Sequence, residues 1–203
     1  MLIISNPVNS TVPICREVFK SKGVYNPKKL FGVTTLDVVR ASRFISQIKS
    51  TDPANENIVV VGGHSGATIV PLLSQSGDKL EGKQLDDYIH RVQFGGDEVV
   101  QAKDGKGSAT LSMAMAGARF AESLLKAAQG QKGVIEPTFV ESDLFKDQGC
   151  DFFASNVELG PNGVEKIHPV GKITDFEQGL LDKCVADLKG NISKGVEWAK
   201  ANP

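Results

Sequence analysis

Apolar positions along this chain fall into short runs whose spacing switches between two periods, one suited to strands and one to helices. Met1-Leu2-Ile3-Ile4 reads as a buried strand, and the strand Leu2–Ser5 should stop at Pro7, which has no N–H to give a sheet ladder. A helix is expected from about Ser10, with Ser10 or Thr11 as its N-cap, to Gly23 just past its end. Leu30–Thr34 is a second short apolar run. Leu36, Val39, Ile45 and Ile48 then recur near helical spacing, which predicts a helix ending at Lys49-Ser50 ahead of Asp52-Pro53. Ile58–Val61 is an unbroken β-branched run, read as a buried strand, and it enters Gly62-Gly63-His64-Ser65-Gly66 directly. Thr68–Leu73 is a further strand candidate.

In the second half, helices are expected at Leu85–Val100 and Ser108–Gln129. The latter carries Ala109, Ala114, Ala116, Gly117 and Ala118, small residues that let another backbone approach closely, at the centre of the protein or at a subunit interface. Val134–Val140 reads as a strand, and Asp151–Leu159 and Val164–His168 as a pair joined around Asn162-Gly163, a strong hairpin signal. Thr174-Asp175-Phe176-Glu177 has the form of a capping box, so a last helix begins at about Asp175 and runs to near Lys200. Leu181, Cys184, Val185, Leu188, Ile192 and Val196 form its inward stripe. The fold class is α/β with late antiparallel hairpins.

Composition narrows the function classes. The 203 residues are 40% hydrophobic and 23% charged, the balance of an ordinary globular protein with enough chain to bury a core. A net charge of −1 offers no general attraction to nucleic acid or an anionic membrane, so neither is expected as a partner. Cys15, Cys150 and Cys184 form no metal-binding pair and no disulfide framework. The three histidines, His64, His90 and His168, have no metal-ligand spacing, so no metal is expected. No apolar run approaches the ~18 residues that cross a bilayer, and no basic, apolar leader suggests secretion.

Two phosphate-binding patterns are approached and missed. Gly77 through Gln84 resembles a P-loop, but Gln84 stands where a magnesium-binding hydroxyl is required; a polar surface loop is the better reading. Gly105-Lys106-Gly107-Ser108-Ala109-Thr110 starts like a dinucleotide-binding loop, but Thr110 replaces its last glycine, and it reads as a turn capping the following helix.

Chemistry concentrates in three segments at strand ends or helix starts, where open α/β folds place ligands: Asn6-Pro7-Val8-Asn9, Thr34-Thr35-Leu36-Asp37-Val38-Val39-Arg40 and Gly62-Gly63-His64-Ser65-Gly66. Asp37 and Arg40, three apart, share a helix face; alone they read as a surface ion pair worth ~0–1 kcal/mol. His64 changes the picture because it lies between glycines directly after a buried strand. Together these residues suit hydride transfer to and from a 2-hydroxy acid. Histidine is a base of near-neutral pKa for the alcohol proton. An aspartate behind the ring fixes its tautomer and stabilises the imidazolium. Arginine offers a bidentate fork to a carboxylate.

The segments Asn6 to Pro13, Phe31 to Arg40, Gly62 to Gly66 and Gly107 to Met113 closely resemble malate dehydrogenases of the mitochondrial and enterobacterial type, within the lactate/malate dehydrogenase family. The resemblance runs from residue 1 to about residue 200, with the motifs in family order and spacing. It implies the end of a Rossmann-type dinucleotide-binding domain at residues 1–33 and a substrate-binding, catalytic C-terminal domain at 34–203. It implies NAD as cofactor and reversible oxidation of (S)-malate to oxaloacetate. On this resemblance His64 is the catalytic acid/base and Asp37 its partner. Arg40 is the clamp on the C1 carboxylate, and Asn6 lies beside the nicotinamide and the reacting oxygen. Ile4 and Ser5 line the cofactor, and Met113 packs near the nicotinamide; without the resemblance Met113 reads as a core methionine. A homodimer and the mitochondrial matrix are implied in the same way, the cytoplasm otherwise.

The Gly-rich βαβ unit, the acidic ribose-binding residue and the mobile loop with a second carboxylate-binding arginine, which family members carry upstream, are missing from this sequence. NAD should therefore bind weakly, selection of oxaloacetate over pyruvate should collapse, and the exposed sheet edge should favour association. A non-catalytic short form that assembles with full-length subunits is the alternative. A lactate- or other 2-hydroxyacid dehydrogenase is a third reading, separated by a substrate panel and disfavoured by the Asn-Pro-Val-Asn and Gly-Gly-His-Ser-Gly segments.

Overall fold

A computed structural model describes residues 1–202. In chain order its elements are β1 (Leu2–Ile3), α1 (Val8–Ser21), β2 (Phe31–Gly32), α2 (Thr35–Lys49), β3 (Val60–Gly62), β4 (Ile69–Pro71), α3 (Gly82–Ala102), α4 (Leu111–Ala128), β5 (Val134–Phe145), β6 (Cys150–Gly160), β7 (Gly163–Ile167) and α5 (Asp175–Ala201), with short 3-10 turns between. The strands form one mixed α/β sheet in the order β1-β2-β5-β6-β3-β4, with β7 also paired to β6. The β1–β2 pairing is parallel and all the others are antiparallel.

Period-two alternation distributes the core over both sheet faces. On β3, Val61 joins the layer with Val8, Val12, Phe152, Leu181, Leu188 and Ile192, which α1 and α5 cover. Its neighbour Val60 joins Val38, Ile45, Ile69, Tyr88 and Val92 under α2 and α3. On β5, Phe139 faces the α1/α5 layer, while Val140 faces Phe31, Phe120, Val157 and Leu159 under α4. Arg16, also buried, bonds Glu17, Asp151 and Glu141 and lies over the Phe152 ring, so it ties α1 to the β5–β6 hairpin.

The late hairpin and the last helix match the sequence reading closely. Gly160 pairs with Gly163 across the Pro161-Asn162 turn, and Gly163 has φ +99°, the left-handed conformation that glycine adopts without strain. Thr174 accepts from the Glu177 N–H while Glu177 bonds back to the Thr174 N–H, completing the capping box of α5.

Other boundaries shift. Helix α1 begins at Val8, not Ser10, and Pro7 precedes it with no side-chain cap. The hydroxyls expected to cap it are used elsewhere: Ser10 donates to the Asn191 carbonyl in α5 and Thr11 to the Pro7 carbonyl. Helix α4 begins at Leu111, not Ser108, because the Ser108 carbonyl accepts from the Lys103 ammonium and stays in the connecting turn. The buried face of α2 is Leu36, Val38, Ala41 and Ile45; Val39 is only partly buried and Ile48 is exposed. Among the described residues no helix is long and apolar enough to cross a membrane.

Candidate active site

Helix α2 places Asp37 in its first turn, where a carboxylate also meets the positive end of the helix dipole. The Asp37 side chain is 0% exposed and that of His64 is 8% exposed. Strand β3 delivers His64 through a sharp turn at Gly62, whose φ is +100°. A Cβ at Gly62 would lie 2.1 Å from the Thr68 carbonyl oxygen, so any larger residue would push this loop away from β4. The outcome is a contact between residues 27 apart in sequence: His64 Nδ1 lies 2.5 Å from Asp37 Oδ2. Burial alone would lower the imidazole pKa. The adjacent Asp37 charge and hydrogen bond outweigh burial and the opposing charge of Arg40, so His64 titrates above the ordinary histidine value. With Nδ1 committed to the carboxylate, Nε2 is the nitrogen left for a reacting proton.

Arg40 lies one turn along α2, its Nη1 3.7 Å from Asp37 Oδ1, the oxygen that makes no hydrogen bond among the described residues. The guanidinium runs along the backbone of α3 at Gly95 and Gly96; a Cβ at Gly95 would lie 3.4 Å from Arg40 Cδ and one at Gly96 3.7 Å from Nη1. The sequence reading passed over this glycine pair. Its signal was two adjacent glycines inside a run otherwise suited to a helix.

These groups face one cavity of about 480 Å³. The structure brings all seven residues singled out from the sequence to its wall: Ile4, Ser5, Asn6, Asp37, Arg40, His64 and Met113. Asn6 and Ser5 follow β1, and Met113 comes from the first turn of α4. Met113 also packs against the α4 core layer, so it borders both core and cavity. Gln93, held by a bond to the Ile69 carbonyl, and Asp97 were not anticipated and also line the space. Arg40 is the one arginine or lysine among the lining residues. Among the described residues no cluster of His, Cys, Asp or Glu could hold a metal ion.

The arrangement can bind a small carboxylate at Arg40 and exchange a proton at His64 Nε2. Its volume falls within the ~300–1,000 Å³ of ordinary small-ligand sites.

Comparison with known proteins gives an independent view. The lactate/malate dehydrogenase alpha/beta C-terminal domain matches residues 34–199. The chain is 60% identical over 199 residues to mitochondrial malate dehydrogenase of Saccharomyces cerevisiae, covering 98% of this chain and 60% of that protein. It is 61% identical over 197 residues to the mitochondrial enzyme of Schizosaccharomyces pombe, covering 97% and 58%. To that of Rattus norvegicus it is 52% identical over 200 residues, covering 98% and 58%. The chain thus spans about three fifths of the length of these curated relatives. Among solved structures, the apo malate dehydrogenase of Picrophilus torridus superposes with a TM-score of 0.81 at 24% identity, covering 100% of this chain and 63% of that one. The Cryptosporidium parvum malate dehydrogenase gives 0.77 at 24% identity, covering 97% and 63%. At that identity the likeness concerns the fold.

Proposed function

The chain belongs to the lactate/malate dehydrogenase family, and on that premise we propose that it carries the acid/base and carboxylate-binding machinery for NAD-dependent interconversion of (S)-malate and oxaloacetate. The observation that carries the reading is the buried Asp37–His64 pair opening on the same cavity as Arg40.

Arg40 holds the C1 carboxylate through its planar fork. That contact directs the 2-hydroxyl toward His64 Nε2. His64 takes the hydroxyl proton during oxidation and returns it during reduction, and Asp37 holds the ring in the tautomer that leaves Nε2 free. The Asn6 amide lies beside the reacting oxygen, and Ile4, Ser5 and Met113 form the wall for the nicotinamide. NAD held against these residues would supply the hydride acceptor. The raised pKa of His64 shifts the balance toward the protonated ring, the form that returns a proton during reduction.

The domain boundary at residues 33/34 belongs to the same proposal: β1, α1 and β2 bring Ile4, Ser5 and Asn6 to the site, and everything from α2 onward supplies the proton-transfer and carboxylate groups. Because the relatives named above are mitochondrial, the matrix is the proposed location. A homodimer is proposed on the family resemblance.

The test is oxaloacetate-dependent NADH oxidation by the purified chain at rising NADH, with a His64→Asn control. Turnover that His64→Asn abolishes supports the reading. No turnover at any attainable NADH concentration sinks it for this chain.

A further inference from the structure

We propose that Asn9 is a positioning residue for His64: its buried amide bolts the His64 loop to α1 and α5 and so sets where the imidazole stands. The catalytic meaning of that role rests on the reading above; the geometry does not.

Asn9 is 1% exposed and lies in the first turn of α1. Its Oδ1 accepts from the His64 backbone N–H at 2.8 Å. Its Nδ2 lies 2.9 Å from Ser65 Oγ, 3.1 Å from Thr68 Oγ1 and 3.2 Å from Asn191 Oδ1. The chemistry of the partners fixes the orientation of the amide. A backbone N–H can only donate, so Oδ1 must face His64. The Thr68 hydroxyl donates its single hydrogen to the Ser65 carbonyl at 2.7 Å, so toward Asn9 it can only accept. Asn191 in turn is held by its own Nδ2 on the Asp187 carbonyl, which leaves Oδ1 turned to Asn9. One side chain therefore joins the start of α1, both ends of the loop after β3, and the middle of α5.

The loop is shaped to receive it. A Cβ at Gly63 would lie 2.6 Å from Asn9 Oδ1, so the glycine lets the backbone reach the amide. From beneath, the Cys184 thiol of α5 donates to the Thr68 carbonyl. At the crossing of α1 and α5, a Cβ at Gly195 would lie 2.4 Å from the Ser10 carbonyl oxygen, so the helices meet backbone to backbone beside Asn9. The Asp37–His64 contact fixes the ring from the front; Asn9 fixes its backbone from behind. The titratable or charged groups facing the ring or its loop are Asp37 and Arg40 from α2, Asp97 from α3 across the cavity and Cys184 from α5.

An aspartate at position 9 has the same shape and still accepts from His64, but it sets a carboxylate oxygen against the Thr68 and Asn191 oxygens, which have no proton to give it. It therefore separates hydrogen-bond positioning from space filling. The experiment follows the His64 ring and amide by NMR in the 203-residue chain, with His64→Asn assigning the signals, for the parent, Asn9→Ala, Asn9→Asp and Asn191→Ala. In the parent, the His64 amide should be protected from hydrogen exchange. In Asn9→Ala, it should exchange at least about tenfold faster. The ring titration midpoint should fall by about half a unit or more as the ring loosens from Asp37. Asn9→Asp should fail to restore either signal, and Asn191→Ala should move both in the same direction by less. If the chain turns over, Asn9→Ala should lose about 10–100-fold in kcat, with KM for oxaloacetate within about threefold. An unprotected His64 amide in the parent overturns the proposal even if no variant folds. So does an Asn9→Asp chain indistinguishable from the parent. Absence of turnover in the parent counts against the dehydrogenase reading alone, since the ring and amide signals need no substrate.

Discussion

On one wall of the cavity, Asp37, Arg40 and His64 are locked by helix α2, by the glycines of α3 and by the loop after β3, with the Asp37 side chain at 0% and His64 at 8% exposure. On the other wall, Ile4 is 41% exposed and Met113, in the first turn of α4, is only partly buried. The wall proposed for proton transfer is held by several elements of the chain. The wall proposed for the cofactor is more open and held mainly by the short β1 strand and the start of α4. Groups that must hold a charge at a set distance need several supports, because a small displacement costs much of the rate. A surface that only needs to pack against a flat ring can do so with apolar contact alone.

The largest effect that would sharpen this contrast is expected at Asp37. Asp37→Asn should lower kcat by about 10²–10⁴-fold, the usual worth of a positioned acid/base system. The pH profile should move with it. His64 binds its proton more tightly in the folded chain than in the unfolded one, so its contribution to stability is complete below the ordinary histidine pKa. That contribution is lost as pH rises through the higher folded value. Asp37→Asn should erase that loss, read as a flatter pH dependence of the unfolding midpoint. A profile identical to the parent's would break the comparison at its strongest point.

Arg40→Lys should reduce kcat/KM for oxaloacetate by about 10–100-fold, since an ammonium cannot supply the planar fork. The decrease should appear mostly in KM; an unchanged KM would remove Arg40 from the carboxylate. With Arg40 the one arginine or lysine lining the cavity, preference for oxaloacetate over pyruvate should stay below about tenfold in competing assays of this chain. A large preference would reveal a second carboxylate contact that the described residues do not make. The smallest effect belongs to the exposed start of α4, beside the open wall. Leu111→Ser should change the unfolding free energy by less than about 0.5 kcal/mol, as for other exposed positions. A loss of ~2 kcal/mol or more in thermal unfolding would mean that Leu111 is covered in solution.

Where the chemistry is local, the sequence reading came through intact. The turn ending in Gly163 and the Thr174–Glu177 box each need only a few adjacent residues, and both form as read. The i,i+3 spacing of Asp37 and Arg40 likewise put them on one face of α2. The start of α1 was misplaced because Ser10 had two uses for its hydroxyl, and the partner it took lies 181 residues away in α5. The buried face of α2 was not legible from the spacing of its apolar residues, for a related reason. Val38 rather than Val39 points inward because Ile58, Val60 and Tyr88 complete that core layer.

Sequence alone determined the fold class, the helix and strand content, and the residue types gathered for carboxylate binding and proton exchange. Side-chain chemistry and local periodicity are written in neighbouring residues. Tertiary structure decided which of them meet. It set His64 Nδ1 against Asp37 from another element, laid Arg40 along the glycines of α3, and placed Asn9 behind the loop. Those contacts join residues from 27 to 182 positions apart. Their distances depend on how the sheet and helices pack as solids, and no local pattern in the chain encodes that packing.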